Sequence, residues 1–289
     1  MPEGLSNFPG GSEMSQLKKF QGKLLIVIIC LLWVGCASQG NLGKNEPVKL
    51  GNSVSWVMGA DTFRECVLQA YLNAGDRLDM LAKGKEPGTW CVIFDTDETL
   101  LNNSLYQAEQ QAAGLSYNEN TWGKWCDRME ATALPGTVDF CRRVQNLGGK
   151  VIVISNRRGD LMDSTTGNLN KVGIPFDACL LKGGSYRSDS SKIARRAAIR
   201  NGGVDWDKNA AITNPLGEEF PPLEILMLCG DQVHDLYDPA KLTYQDVKDR
   251  FSRELVVIPN PMYGFPPVYY DRNGDRVLTG KEAAGSPAK

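Results

Sequence analysis

The chain has 289 residues, of which 42% are hydrophobic and 23% are charged, and its formal net charge is −2. This length and apolar content predict one domain, with at most a small accessory part, around a substantial buried core. The near-neutral charge gives no electrostatic basis for binding a nucleic acid polymer. A lone histidine, His234, argues against a polyhistidine metal site and against most histidine-based triads, so the chemistry is expected to rest on carboxylates and other oxygen ligands.

Residues 1–35 are predicted to be a targeting segment. Three lysines precede an apolar run at residues 24–34, which is too short to span a bilayer easily but fits the hydrophobic region of a secretory signal peptide. Cys36 follows Gly35 directly after this run, a placement that resembles the lipobox of bacterial lipoproteins, although Trp33 stands where that signal usually has leucine. Lipidation of Cys36 would make residues 36–52 a tether to a membrane that the chain does not span. The alternatives are an ordinary signal peptide cleaved nearby and an uncleaved anchor.

The remaining chain is predicted to have an α/β fold. Apolar residues at helical spacing predict one or two helices within residues 53–88, as an accessory or cap part. Residues 89–270 then alternate strands with helices, and the predicted strands are WCVIF, KVIVIS, DACLL, EILMLCGD and ELVVIPNP. Such apolar runs between helices are typical of a Rossmann-like parallel sheet covered on both faces. A small helical cap is expected at about 104–133, and residues 271–289 are assigned to a C-terminal tail.

Polar side chains follow three of the predicted strands. Asp95 and Asp97 follow the first, Ser155 ends the second, and Asp231 ends the fourth. Ligands of parallel sheets bind beyond the carboxyl ends of the strands, so these groups converge if the strands are neighbours. Residues i and i+2 of an extended segment point the same way, so Asp95 and Asp97 are expected to face one ligand. Nearby carboxylates repel each other unless a cation lies between them, and oxygen ligands shared with phosphate suit Mg²⁺.

The order of four motifs is more specific than any one of them. FDTDET follows the first strand, SNRR the second, a lysine (Lys192) the third, and GDQVHD the fourth. In this order they resemble the haloacid-dehalogenase-like phosphohydrolases, and within them the class C acid phosphatases, bacterial outer-membrane lipoproteins with four motif aspartates. TWGKWCDRMEATALPGTVDF and IPNPMYG match further signatures of that family. The departures are Gln232 and His234, where the family tends to have asparagine and aspartate, and an insertion around GGSYR.

The resemblance implies a mechanism and a set of site residues. Asp95 is expected to be the nucleophile that forms an aspartyl-phosphate, and Asp97 the group that donates and then accepts a proton. An acid pH preference follows if Asp97 must be protonated in the first step. The residues expected to bind Mg²⁺ are Asp95, Asp97 through its backbone carbonyl, Asp231 and Asp235. The residues expected to hold the phosphate oxygens are Ser155, Asn156 and Lys192.

The resemblance also implies a substrate pocket. Trp122 and Tyr263 match aromatic positions that stack on nucleobase or aryl groups in the family, which implies small phosphomonoesters such as 5′-nucleotides and aryl phosphates. A packing role in a helical cap is the alternative for Trp122. His234 is interpreted as a loop residue, with a supporting role beside Asp235 as the alternative.

Other functions were weighed against this one. A dehalogenase does not need Asp97, and a mutase needs a phosphorylated cosubstrate that is not expected outside the cytoplasm. A non-catalytic lipoprotein that binds a phosphorylated ligand on the same fold is the alternative from a different class, and the presence of both Asp95 and Asp97 favours catalysis over it. The expected location is the bacterial cell envelope, through a lipid anchor in the outer membrane. The sequence leaves a homodimer open.

Overall fold

The computed structural model describes residues 47–213 and 221–264, together with the backbone of 269–270 and 276–277. The predicted targeting segment (residues 1–35), the lipidation candidate Cys36 with most of the predicted tether, and most of the predicted tail lie outside the described residues. Within the part that is described, no helix has the length and apolar composition needed to cross a lipid bilayer.

Helices and strands alternate along the described chain. The helices are α1 (Asn52–Gly59), α2 (Asp61–Ala82), α3 (Ser104–Ala112), α4 (Glu119–Arg128), α5 (Thr137–Asn146), α6 (Met162–Lys171), α7 (Ile193–Asn201), α8 (Val233–Leu236) and α9 (Tyr244–Val247). The strands are β1 (Trp90–Phe94), β2 (Leu101–Asn102), β3 (Thr132–Ala133), β4 (Lys150–Arg158), β5 (Ala178–Lys182), β6 (Ala211–Thr213), β7 (Glu224–Gly230), β8 (Leu255–Val257), β9 (Tyr269–Tyr270) and β10 (Arg276–Val277).

Six of these strands form one sheet in the order β6–β5–β4–β1–β7–β8. All neighbours pair in parallel except β5 and β6, which are antiparallel. The predicted α/β fold with a parallel sheet is therefore confirmed, and the five predicted strands correspond to β1, β4, β5, β7 and β8. The edge strand β6 was not predicted, because three residues are too few to show a strand pattern in the sequence.

Every residue of β1 is buried, because helices cover both faces of the sheet. Trp90, Val92 and Phe94 point to one face, where they join an apolar cluster that includes residues of α2 and α5. Cys91 and Ile93 point to the other face, where the cluster includes Ile199 of α7. This alternation follows from the twofold periodicity of a strand. It fixes β1 in the middle of the core and holds the residues that follow it in a defined position.

The central strands bring their carboxyl ends side by side. Phe94 pairs with Val153 of β4 on one side and with Cys229 of β7 on the other. The backbone N–H of Asp95 donates to the carbonyl of Cys229 over 2.9 Å, which extends the β1–β7 pairing by one residue. The segments that follow β1, β4 and β7 therefore emerge at the same edge of the sheet, as the sequence predicted.

The region between β1 and α5 carries an aromatic cluster. This region consists of α3, α4 and the antiparallel pair β2–β3. Tyr106 of α3 packs edge-on against Trp122 of α4, with ring centroids 5.1 Å apart, and its hydroxyl lies 3.0 Å from the Thr121 hydroxyl. Trp125 lies on the same side of α4 and is also buried. Tyr106, Trp122 and Trp125 belong to the same apolar cluster as Phe94 of β1, so the small helical region is packed onto the main core beside the carboxyl edge of the sheet.

Gly149 provides a test of how closely the strands and helices pack. A Cβ atom at this position would lie 2.2 Å from the indole ring of Trp90, which is fully buried. We expect Gly149→Ala to lower the free energy of unfolding by about 1–3 kcal/mol, because the indole ring must shift. Urea unfolding measures the change. Gly59→Ala is the matched control, since a Cβ there meets nothing within 4 Å; equal stability of the two variants would contradict this packing.

Candidate active site

Three carboxylates converge beyond the carboxyl ends of β1 and β7. Asp95 follows β1, Asp231 follows β7, and Asp235 lies on the short helix α8. Each offers a carboxylate oxygen, and these oxygens lie within 4.8 Å of one another. Asp95 and Asp235 are buried. Three of the four predicted metal ligands are thus brought together by their side chains.

Lys192 is the cation of this cluster. It immediately precedes α7, is only 3% exposed, and forms ion pairs with Asp95 and, over 2.6 Å, with Asp235. Its backbone is left-handed, with φ of 60°, a conformation that is costly for a residue with a side chain. Burial lowers the pKa of Lys192, but Asp95 and Asp235 raise it overall, so the ammonium stays charged.

The cluster has more negative charge than this lysine can balance. Burial raises the pKa of Asp95 well above its usual range; Lys192 opposes the rise and the other aspartates reinforce it. Burial, followed by the charge of Asp235, raises the pKa of Asp231 to about 6. Three carboxylates against one ammonium leave an excess of two negative charges, which one divalent cation would balance. The donor set therefore fits a divalent metal ion.

Hydrogen bonds fix the carboxylates that follow β7. The backbone N–H of Gln232 donates to Asp235 over 2.9 Å, and the side chains of Gln232 and Asn260 each donate to Asp231 over 2.8 Å. A Cβ at Gly230 would lie 2.2 Å from the Cβ of Asp235, so this close approach requires glycine. Gln232, one of the two departures from the family pattern, therefore orients a predicted metal ligand.

Asp97 lies in a tight turn of residues 96–101. The backbone N–H groups of Leu100 and Leu101 both donate to the carbonyl of Thr96, at 3.0 and 2.9 Å. Glu98, with φ of 55°, is buried in this turn, and its carboxylate accepts from the backbone N–H of Asn103 over 2.8 Å. Burial, followed by the charge of Asp97, raises the pKa of Glu98 well above its usual range. The turn thus places Asp97 beside Asp95 but on separate contacts.

The Asp97 side chain is held by Arg157 rather than by the carboxylate cluster. Arg157 Nε lies 3.2 Å from both Asp97 oxygens, and Nη2 donates to Oδ1 over 2.7 Å. Asn103 donates to the same oxygen over 2.9 Å and is fixed in turn by Trp125, whose Nε1 donates to it over 2.8 Å. The predicted contact between Mg²⁺ and the backbone carbonyl of Asp97 stays a prediction. Sequence reasoning missed Arg157, because only the three-dimensional structure shows its partner.

The three predicted phosphate-binding residues differ in their access to the cavity. Asn156 and Lys192 line the cavity in front of the carboxylates, whereas Ser155 is fully buried. The Asn156 amide donates to the carbonyl of Ser190 over 2.9 Å and accepts from Arg195 over 2.7 Å. Arg195 also donates to the carbonyl of Ser155. Arg195 is fully buried, and its hydrogen bonds join the end of β4 to α7. The sequence did not indicate this role, because Arg195 is one of several basic residues in a predicted helix.

The cavity in front of the carboxylates has a volume of about 610 Å³. Both predicted aromatic residues, Trp122 and Tyr263, line it, together with Asp95 and Asp97. Trp122 is only 8% exposed and packs under the guanidinium of Arg157, which lies 5.5 Å from its ring, so it combines the packing and lining roles. Tyr117, whose ring centroid is 6.1 Å from that of Trp122, is 55% exposed and also lines the cavity. Nothing in the sequence distinguished Tyr117 from an ordinary surface residue.

His234 lines this cavity instead of lying on an isolated loop. Its Nε2 is 3.4 Å from the Asn156 amide nitrogen and 3.5 Å from an Asp235 oxygen. Burial lowers the pKa of His234, while Asp235 opposes that effect. His234 therefore lies beside a predicted metal ligand, and its supporting role there stays a prediction.

The fold and the carboxylate cluster define a phosphohydrolase of the haloacid-dehalogenase type. A family model described as HAD superfamily, subfamily IIIB (Acid phosphatase), matches residues 34–266. The chain belongs to this family, so the predicted phosphomonoesterase class is confirmed at the level of the family.

Similar proteins are known from plants and bacteria. The crystal structure of the Class C acid phosphatase from Bacillus anthracis with tungstate bound is 28% identical, with a TM-score of 0.61, over 73% of this chain and 84% of that chain. Acid phosphatase 1 of Solanum lycopersicum is 24% identical over 81% of this chain and 82% of its own length. The Stem 31 kDa glycoprotein of Glycine max is 26% identical, and the match covers 59% of this chain and 58% of that protein.

The charge balance of the cluster predicts a pH-dependent affinity for Mg²⁺. Because the pKa of Asp231 is about 6, its carboxyl is mostly protonated at pH 5 and mostly ionised at pH 7, and a cation must displace the remaining proton. We expect the affinity of the metal-free protein for Mg²⁺ to fall at least about tenfold from pH 7 to pH 5, because binding must displace the proton of Asp231 and also that of Asp95, whose pKa burial raises. The increase in melting temperature on adding Mg²⁺ at each pH measures it. Asp231→Asn should remove most of the increase, and the exposed-residue control Asp163→Asn should not; a pH-independent increase would contradict the assignment.

Proposed function

We propose that the chain hydrolyses small phosphomonoesters through an aspartyl-phosphate on Asp95. The observation that carries this proposal is the position of Asp95 at the end of the central strand, in an ion pair with Lys192 and within 4.8 Å of two further carboxylates. A nucleophilic carboxylate and a phosphate repel each other, so the reaction needs a neighbouring cation that offsets their negative charge. Lys192 lies where it can do so. Membership of the acid phosphatase family supports the same reaction.

Asp97 is proposed as the proton donor and acceptor. It lines the same cavity as Asp95 and is held by Arg157 and Asn103, so its carboxyl is oriented independently of the nucleophile. In the first step it protonates the leaving alcohol as the bond from phosphorus to the ester oxygen breaks. In the second step it accepts a proton from the water that attacks phosphorus and releases Asp95. The two aspartates of the first motif therefore have different tasks.

The metal ion is proposed to be Mg²⁺, held by Asp95, Asp231 and Asp235. Oxygen-only ligands and the excess negative charge of the cluster favour a hard divalent cation. Bound there, Mg²⁺ would offset the charge of the transferring phosphoryl group. Lys192 and Asn156 are proposed to hold the phosphate oxygens, because both line the cavity in front of Asp95.

The substrates are proposed to be aryl phosphates and 5′-nucleotides, the latter as in a 5′-nucleotidase. A cavity of about 610 Å³ accommodates a nucleoside-sized group, and the side chains of Tyr117 and Tyr263 offer aromatic surface beside the carboxylates. The solved Bacillus anthracis relative was determined with tungstate bound, a tetrahedral oxyanion like phosphate. That observation supports an oxyanion site in this chain by similarity.

Export and lipid attachment at Cys36 are proposed for the whole chain, with residence at the outer membrane of a bacterial envelope. The support is the lysine-rich start, the apolar run and the Gly35–Cys36 pair. Detergent-phase partitioning of the full chain expressed in bacteria, compared with Cys36→Ser, tests this part. Equal partitioning of both proteins into the aqueous phase would refute the lipid anchor and leave the phosphatase proposal unaffected.

Removal of the nucleophile is the first test of the reaction. Asp95→Asn should lower kcat for p-nitrophenyl phosphate by at least about a thousandfold, because asparagine cannot form the phosphorylated intermediate. The assay runs from pH 4 to pH 8, with Mg²⁺ and with EDTA. Asp163→Asn, an exposed aspartate of α6, is the control and should keep full activity. A folded, Mg²⁺-loaded wild-type protein with no activity would favour the alternative, a lipoprotein that only binds a phosphorylated ligand.

The role of Asp97 predicts a dependence on the leaving group. Asp97→Asn should slow hydrolysis of an alkyl phosphate by about 10²–10⁴-fold, because a poor leaving group needs a proton donor. It should slow hydrolysis of p-nitrophenyl phosphate less, since p-nitrophenolate leaves without protonation. Single-turnover rates for the two substrates measure the difference. An equal loss for both substrates would show that Asp97 acts on binding or folding and not as a proton donor.

A further inference from the structure

A second cavity adjoins the catalytic one. It has a volume of about 750 Å³, and four of its lining residues, Tyr117, Trp122, Asn156 and Arg157, also line the catalytic cavity. The two cavities therefore share a wall at the end of β4. Continuing away from Asp95, the second cavity extends over the carboxyl end of β5. The two cavities are therefore neighbours along the carboxyl edge of the sheet.

The second cavity contains cations at the ends of two neighbouring strands. Arg158 and Lys182 are register partners of β4 and β5, so their backbones lie side by side at the carboxyl edge. Arg158 is engaged by Glu119 and Asp160, at 3.0 and 2.9 Å. Lys182 instead donates to the hydroxyl of Ser190 over 2.8 Å.

A further cation, Arg187, lines the same cavity from an exposed position. Within residues 47–213 and 221–264, neither Lys182 nor Arg187 forms an ion pair. The other acid of the lining, Asp207, accepts from the backbone N–H of Asn209 over 2.9 Å, which ties it to its own loop. Lys182 and Arg187 are therefore the cations of this cavity that no carboxylate of the described residues contacts in an ion pair.

The wall that carries these cations is anchored in the core. A Cβ at Gly183 would lie 1.7 Å from the carbonyl oxygen of Asn209, so the turn after β5 packs directly on the backbone of the next loop. Tyr186 is buried, and its hydroxyl accepts from the backbone N–H of Asp205 over 2.7 Å. The N–H of Ser185 donates to the Asp205 carboxylate over 2.9 Å. This turn is the GGSYR segment, which the sequence predicts to be an insertion relative to the family pattern, and it forms part of the wall of the second cavity.

We propose that the second cavity binds a second anionic group on the substrate's leaving alcohol, through Lys182 and Arg187. The preferred substrates would then be phosphomonoesters that carry a further phosphate, such as nucleoside bisphosphates. The ester phosphate lies at Asp95 and Lys192, while the other phosphate lies over the end of β5. This inference rests on the proposed phosphatase function and narrows its substrate class.

A matched substrate pair tests the inference. Adenosine 3′,5′-bisphosphate and adenosine 5′-monophosphate differ only in the second phosphate, and the quantity to compare is the ratio of their kcat/KM values for 5′-phosphate release. We expect wild type to prefer the bisphosphate and Lys182→Gln/Arg187→Gln to lose about tenfold of that ratio, as expected for the loss of charge-assisted hydrogen bonds. Lys208→Gln is the control, because Lys208 is an exposed lysine of the same region that lines a different cavity. If Lys208→Gln lowered the ratio of kcat/KM values by the same factor, the preference would come from the overall positive charge of the region and not from a binding site, which would overturn the proposal.

Binding separates this inference from the phosphatase proposal. Calorimetric titration of the full chain carrying Asp95→Asn, with each of the two nucleotides and Mg²⁺, measures how much the second phosphate adds to the binding affinity, without turnover of the nucleotide. Tighter binding of the bisphosphate that disappears with Lys182→Gln/Arg187→Gln supports the subsite even if the protein were not a phosphatase. Equal affinity for both nucleotides, together with equal kcat/KM values, would overturn the subsite while leaving hydrolysis of p-nitrophenyl phosphate intact.

Discussion

The buried ion pairs of Lys192 with Asp95 and Asp235 are the constraint on which the site depends. They join three segments that are distant in the sequence: the end of β1, the start of α7 and the short helix α8. Burying two carboxylates and one ammonium beside a third, half-buried carboxylate is costly, and removing one partner from such a cluster leaves an uncompensated charge. The cluster is therefore a poor way to stabilise a fold and a good way to bind a metal ion and a phosphate. The strained backbone of Lys192 is a further sign that position, rather than stability, is favoured here.

Charge is divided along the carboxyl edge of the sheet. The ends of β1 and β7 carry the carboxylates that suit a cation, while the ends of β4 and β5 carry Arg157, Arg158 and Lys182. The order of the strands sets this division, since β4 and β5 lie on one side of β1 and β7 lies on the other. In the binding mode proposed above, a phosphate ester along the edge would meet the carboxylate half with its reacting end and the cationic half with its leaving group. Topology thus contributes to substrate choice as well as to chemistry.

The sequence predicted what depends on local pattern. Long apolar runs identified the main strands, and the motif aspartates and Lys192 were found because each follows such a run. The sequence could not predict contacts between distant residues, such as that between Asp97 and Arg157, which are 60 residues apart. The sequence also indicates a basic surface helix around Arg195, although this arginine is fully buried. Tyr117 was missed because its place beside Trp122 comes from how α4 packs and not from any motif. Short elements such as β6 lack enough residues to show a period.

The hydrogen bonds from Trp125 to Asn103 and from Asn103 to Asp97 link the aromatic cluster of α4 to the catalytic edge. A change in the packing of α4 would therefore change the orientation of the Asp97 carboxyl, although Trp125 itself is buried. With Asp97 as the proposed proton donor, substitutions in the small helical region would tune the handling of leaving groups without altering any residue proposed to bind phosphate. Descendants of such a protein would diversify in the alcohols they release sooner than in the bond they break.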